Sequence, residues 1–108
     1  METYVYNCFG KPFSVNLKPN RYQSNGNLAL QLVDAEDGSP VATATVNTDD
    51  VLPEGFIAVK DYSENKGMLA FLTKNGIVGD ILTCIRSGWV EIPVVPLTAK
   101  GKALFAGV

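Results

Sequence analysis

Phe13, Val15 and Leu17 alternate with Ser14, Asn16 and Lys18, the period of two expected of a strand with one buried face. Just upstream, Tyr4, Val5 and Tyr6 give residues 3–9 the aromatic and β-branched character of another strand, and Gly10-Lys11-Pro12 punctuates the two. Residues 19–27 are turn chemistry centred on Asn25-Gly26. Leu28, Leu30 and Leu32 then alternate again. Asp37-Gly38 marks a hairpin into a Thr/Val/Ala strand over 41–47. Residues 3–47 therefore predict a meander of up to four antiparallel strands.

The pattern changes after the loop at 48–55. A short strand covers 56–60, with Ile57 and Val59 on one face. Met68, Leu69, Phe71 and Leu72 then recur at helical spacing. Asp61 with Glu64, or Ser63, supplies the cap, and Asn75-Gly76 the stop. Gly67 falls inside this helix, where it costs about 1 kcal/mol relative to alanine; close packing on the sheet is the expected reason. Ser87-Gly88 joins strands over 81–86 and 89–95 in a second hairpin. Pro93 and Pro96 cannot donate to a ladder, which predicts that the last strand lies at an edge or is bulged. Residues 98–108 read as a mobile tail.

The expected fold class is α+β, a curved antiparallel β-sheet of six or seven strands with one α-helix packed on it. Residues 1–97 make a single domain. Its core should contain Phe13, Val15, Leu17, Leu28, Leu30, Leu32, Ile57, Val59, Met68, Leu69, Leu72 and Trp89. A length of 108 residues with 46% apolar side chains suffices for one such core.

Composition removes more chemistry than it suggests. There is no histidine, so histidine triads, histidine general bases and Cys/His zinc sites are excluded. Phosphate-binding glycine motifs are missing. No enzyme activity, cofactor or metal is expected. Cys8 and Cys84 read as two buried, reduced thiols, and without a histidine to activate it Cys84 is a poor nucleophile. No apolar run approaches the ~18 residues of a membrane span. The first residues lack the pattern of a signal peptide. A cytoplasmic protein without a membrane partner is the expectation.

Charge is unevenly spread. Residues 34–64 hold Asp34, Glu36, Asp37, Asp49, Asp50, Glu54, Asp61 and Glu64 against Lys60 alone, while the flanking thirds are net basic. The acids match no calcium loop, so a solvated loop and a helix cap are the plain alternative to a cation site. Basic residues are scattered, which disfavours nucleic acid as a partner. Trp89, at a strand start, reads as core with its indole N–H at the rim rather than as a binding anchor.

The stretch Val59-Lys60-Asp61-Tyr62-Ser63-Glu64-Asn65-Lys66-Gly67-Met68-Leu69, followed by Asn75-Gly76-Ile77-Val78 and by Ser87-Gly88-Trp89-Val90-Glu91-Ile92-Pro93, resembles a family of small bacterial, plasmid and prophage proteins known as a domain of unknown function. The likeness covers roughly residues 56–97. It implies a setting, the bacterial cytoplasm and a mobile genetic element, and carries no catalytic residues. With the charge split, it leads to the expectation of a non-enzymatic protein-binding module, an accessory or anti-defence protein. The eight acids would form a surface for a basic host protein. The alternative is a small-ligand-binding domain with a pocket between helix and sheet.

Overall fold

The computed structural model describes residues 2–108. It contains seven strands: β1 (Tyr4–Cys8), β2 (Lys11–Arg21), β3 (Leu28–Asp34), β4 (Pro40–Thr43), β5 (Phe56–Ala58), β6 (Thr83–Ser87) and β7 (Val90–Pro96). Two helices accompany them, α1 (Met68–Lys74) and α2 (Ala99–Leu104). All strand pairs are antiparallel, in keeping with the α+β class. The strands do not form one curved sheet. They divide into a four-stranded sheet, β1-β2-β3-β4, and a three-stranded sheet, β5-β7-β6.

The division falls at Thr45. Ala44 N–H still donates to the Leu30 carbonyl, but the Leu30 N–H is taken by the Thr45 hydroxyl at 3.1 Å, and the ladder with β3 stops. On its other side this stretch meets the second sheet, through Lys60 N–H to the Ala44 carbonyl, Val46 N–H to the Ala58 carbonyl and a bridge between Thr45 and Val59. A few residues thus serve two sheets, and the apolar core runs across the seam from Leu30 and Leu32 to Ile57, Val59 and Val95.

The prolines depart from expectation for a common reason. β2 runs on through Pro19 to Arg21, with the turn delayed to Tyr22–Asn27. Ser14 accepts from Ala35, so alternation makes Pro19–Leu30 a pair without mutual hydrogen bonds. The missing N–H of Pro19 then faces the side where β1 has already ended opposite Val15. β7 is likewise the central strand of its sheet, not an edge. Pro93 lies opposite Val59, just past the end of β5. In both strands the absent donor falls where the neighbouring strand is over.

Gly67 breaks the predicted helix. A single 3₁₀ turn covers Ser63–Asn65, and α1 starts only after Gly67, whose φ is +97°. A Cβ at this position would touch nothing within 4 Å, so the glycine is there for its backbone conformation and not for close packing. Asp61 still caps the helix from upstream, its Oδ1 accepting from Gly67 N–H at 3.1 Å and from Leu69 N–H at 2.9 Å.

The stretch expected to be a mobile tail carries α2. Thr98 caps it by accepting from Gly101 N–H, Gly101 and Phe105 are buried, and Lys100 reaches the Glu2 carboxylate at 3.2 Å. Most of the expected core is buried, with Phe13 and Leu69 only partly so. Trp89 is the clear exception, at 98% exposure. The hairpin loop is Gly88-Trp89, with Gly88 at φ +59°, so the tryptophan sits on the turn rather than in the strand. The thiols also differ from expectation: both are free, but Cys84 is exposed and Cys8 half-buried.

Candidate functional site

β1 is an edge strand, and α1 lies beside its open edge. Tyr6 and Tyr4 point inward and meet Phe71 of α1 edge-on, at 5.2 and 6.3 Å between ring centroids. Between strand and helix runs a groove of about 470 Å³. Val5, Tyr6 and Asn7 form one wall; Lys66, Gly67, Ala70, Phe71, Lys74 and Asn75 form the other. Ala70 and Lys74, four residues apart, lie along one side of α1, and Lys66 joins the same wall from the segment before the helix.

The strand wall carries free backbone. Pro12 has no N–H to give Asn7, and Ser14, opposite Val5, spends its carbonyl on Ala35, just past the end of β3. The hydrogen-bonded pairs of β1 with β2 are therefore Tyr4–Val15, Tyr6–Phe13 and Cys8–Lys11, and the N–H and C=O of Val5 and Asn7 turn to the open edge. No other backbone group of the described residues bonds to them. Val5 is 61% exposed.

Two further features mark the groove. Among the described residues neither Lys66 nor Lys74 forms an ion pair with a carboxylate. The Tyr6 hydroxyl is buried without a hydrogen-bond partner, and its pKa is raised, first by burial and then by the negative charges of Cys8, Asp61 and Glu64. An orphaned buried donor is costly unless something supplies an acceptor.

The eight acids singled out in the sequence fall in three places. Asp34, Glu36 and Asp37 form the β3–β4 turn, where Asp34 accepts from Glu36 N–H and Asp37 from both N–H and hydroxyl of Ser39. Those bonds, the hydroxyl first, hold the Asp37 carboxyl below its ordinary value. Asp49, Asp50 and Glu54 lie at the other end of β3, where the Asn27 side chain donates to the Asp50 carbonyl and accepts from Leu52 N–H. A seven-residue strand, roughly 20 Å, separates the two groups. Asp61 precedes the 3₁₀ turn and Glu64 lies within it, and the turn is tied to β4 by the Asn65 amide on the Thr43 carbonyl. Glu54 is neutralised by Arg21 at 2.8 Å and Glu64 by Lys60; both glutamates titrate low because of those hydrogen bonds. Asp49 and Asp50 remain exposed and without an ion pair among the described residues. The acids therefore fall into three separate groups rather than one cluster. Nor do three Asp, Glu or Cys side chains of the described residues converge as a metal would need.

Sequence reasoning passed over Val5, Asn7, Lys66, Ala70 and Lys74. The four-residue spacing of the last three was visible. That they face a strand edge was not, because nothing local announces which strand will lack a neighbour.

No family model, curated protein or solved structure matches this chain. No helix of the described residues is long and apolar enough to cross a membrane.

Proposed function

We propose that this chain is a non-enzymatic binding module that takes an extended acidic peptide segment of a partner protein into the groove between β1 and α1. The observation that carries this reading is the open edge of β1: Val5 and Asn7 each offer an N–H and a C=O beside a helix wall. That is the geometry of recognition by β-strand addition, in which main-chain hydrogen bonds give affinity and flanking side chains give selectivity. The unpaired Lys66 and Lys74 set the preference for negative charge. As an accessory protein of a mobile genetic element, the setting the sequence resemblance implies, such a module captures a partner and turns over no substrate. The groove supports a different surface from the acidic one expected from the charge split, which retains Glu36, Asp37, Asp49 and Asp50 as exposed carboxylates without an ion pair among the described residues.

Panning a displayed library of linear peptides on the full chain, followed by NMR mapping of the selected peptides, tests the proposal. Acidic, β-forming sequences should be enriched, and they should shift the amides of Val5, Asn7, Ala70 and Lys74. Val5→Pro removes an outward N–H without touching the ladder to β2, and with Lys66→Glu/Lys74→Glu it should abolish binding in a chain that still folds. Selected peptides that bind these variants as well as the parent, or that shift residues elsewhere, overturn the proposal.

A further inference from the structure

β6, an edge strand of the three-stranded sheet, presents a second free edge. Thr83, Cys84, Arg86 and Ser87 are exposed and Ile85 is half-buried, so neither face of the strand is fully covered. Ile81 and Leu82 precede it at 51% and 59% exposure, and Trp89 follows it at 98%. Little protects this edge from Thr83 to Ser87: a bulge at Leu82–Thr83, both opposite Val94, marks only its start, there is no proline from Ile81 to Ser87, and the one charge, Arg86, lies opposite Glu91 of β7.

Hydrogen-bond alternation fixes what this edge can do. Pro93 has no N–H, and its carbonyl accepts from Val59 in the direction of β5, so Cys84–Pro93 is a pair without mutual hydrogen bonds. Cys84 and Arg86 consequently turn their N–H and C=O outward.

We infer that β6 pairs antiparallel with β6 of a second copy of this chain, about a two-fold axis through Ile85. Self-complementarity of the register selects a second copy as the occupant. With the axis at Ile85, Cys84 of each copy meets Arg86 of the other as a hydrogen-bonded pair, Ile85 faces Ile85, and no charge faces its like. Beyond the strand ends, Trp89 on the hairpin turn of each copy comes to the side where Ile81 and Leu82 of the other copy enter β6, so the exposed apolar side chains gather at the two ends of the contact. A two-fold contact of this kind uses one patch twice and closes on itself. Burying the indole, the two aliphatic side chains and the strand edge removes roughly 1,000 Å² over both copies, the threshold for a specific interface. That area suits a weak, concentration-dependent dimer.

Trp89 is the only tryptophan, so its fluorescence reports this face alone. Sedimentation equilibrium over a concentration series should show the mass rising from 11.6 kDa toward twice that, with the indole emission moving to the blue in step. In a Cys8→Ser/Cys84→Ser background, Ile85→Cys should form a disulfide-linked dimer on mild oxidation, whereas Val5→Cys should not. Arg86→Pro, which deletes an outward N–H and leaves the bonds to β7 whole, should weaken association by about tenfold or more. It also serves as the test should Ile85→Cys fold poorly. A chain that stays monomeric with unshifted emission to millimolar concentration overturns the inference. So does a dimer that cross-links through Val5→Cys but not Ile85→Cys, or one that Arg86→Pro leaves intact.

Discussion

The Tyr6 ring meets the Phe71 ring edge-on, with the planes at 75°, and this contact joins β1 to α1 beneath the proposed groove. The ring is well packed while its hydroxyl, equally buried, has no partner. The same side chain thus stabilises the fold through one end and strains it at the other.

Tyr6→Phe should therefore keep the packing and remove the unsatisfied group. A gain of about 1 kcal/mol in unfolding free energy is expected, measured as a higher urea midpoint at constant slope. A loss of stability would mean that the hydroxyl has a partner in solution.

Gly101→Ala tests the docking of α2. A Cβ there would lie 2.2 Å from the Ile77 carbonyl oxygen and about as close to Leu97 as packing forbids, at 3.0 Å. Backbone cannot yield as a side-chain end can, so the variant should lose about 1–3 kcal/mol. If residues 98–108 were a mobile tail, the substitution would change nothing in a thermal melt.

Asn27 organises the loop that carries Asp49 and Asp50. It is 5% exposed and bonds Asp50 and Leu52 at 2.9 Å each. Asn27→Ala orphans the Leu52 N–H, while the Asp50 carbonyl keeps its bond from the Thr48 hydroxyl, and should cost about 1–3 kcal/mol. Rapid amide exchange at Leu52 in the variant is the local signature.

Stability should be flat across neutral pH and fall on the acid side. Glu2, Glu54 and Glu64 titrate below 4.5 because Lys100, Arg21 and Lys60 hydrogen-bond to them. The folded chain thus binds these protons less readily than the unfolded chain does. The stabilisation is complete above 4.5 and is lost as pH falls through the lowered folded values. The raised Lys60 and Lys100 contribute in full below 10.5 and lose that contribution as pH rises through their folded values. All three pairs are exposed enough that added salt should blunt both limbs of a melting-temperature profile.

Thiol reactivity should separate the two cysteines. In native buffer Cys84 should react with a disulfide reagent within the mixing phase, and the half-buried Cys8 more slowly. Reductant should leave the melting temperature unchanged. Two thiols reacting at one rate would contradict the burial of Cys8.

Where one face of a strand is plainly apolar, the sequence was readable. The alternation at Phe13–Leu17 and Leu28–Leu32 specified strands, faces and most of the core, and Asp37-Gly38 specified its hairpin. The errors came where an effect depends on a neighbour distant in sequence. Whether Pro19 or Pro93 breaks a ladder depends on where β1 and β5 stop. Whether Trp89 is core or surface depends on a one-residue shift between strand and turn. Gly67 looked like a helix residue because its propensity cost is local, while its positive φ follows from how Asp61 reaches over it. The candidate groove was the least legible feature of all, since a strand edge is defined by what fails to pair with it.

The ion pair between Glu2 and Lys100 joins residues at opposite ends of the chain, and this has a bearing on synthesis. Every neighbour in the first sheet is its predecessor in sequence, so that sheet can assemble while the ribosome is still making the second half. Tyr4 and Leu17, which line the hollow under α2, must then wait for the last residues to emerge before that hollow is covered. A growing chain therefore keeps one apolar side open until α2 has been made and can dock on it.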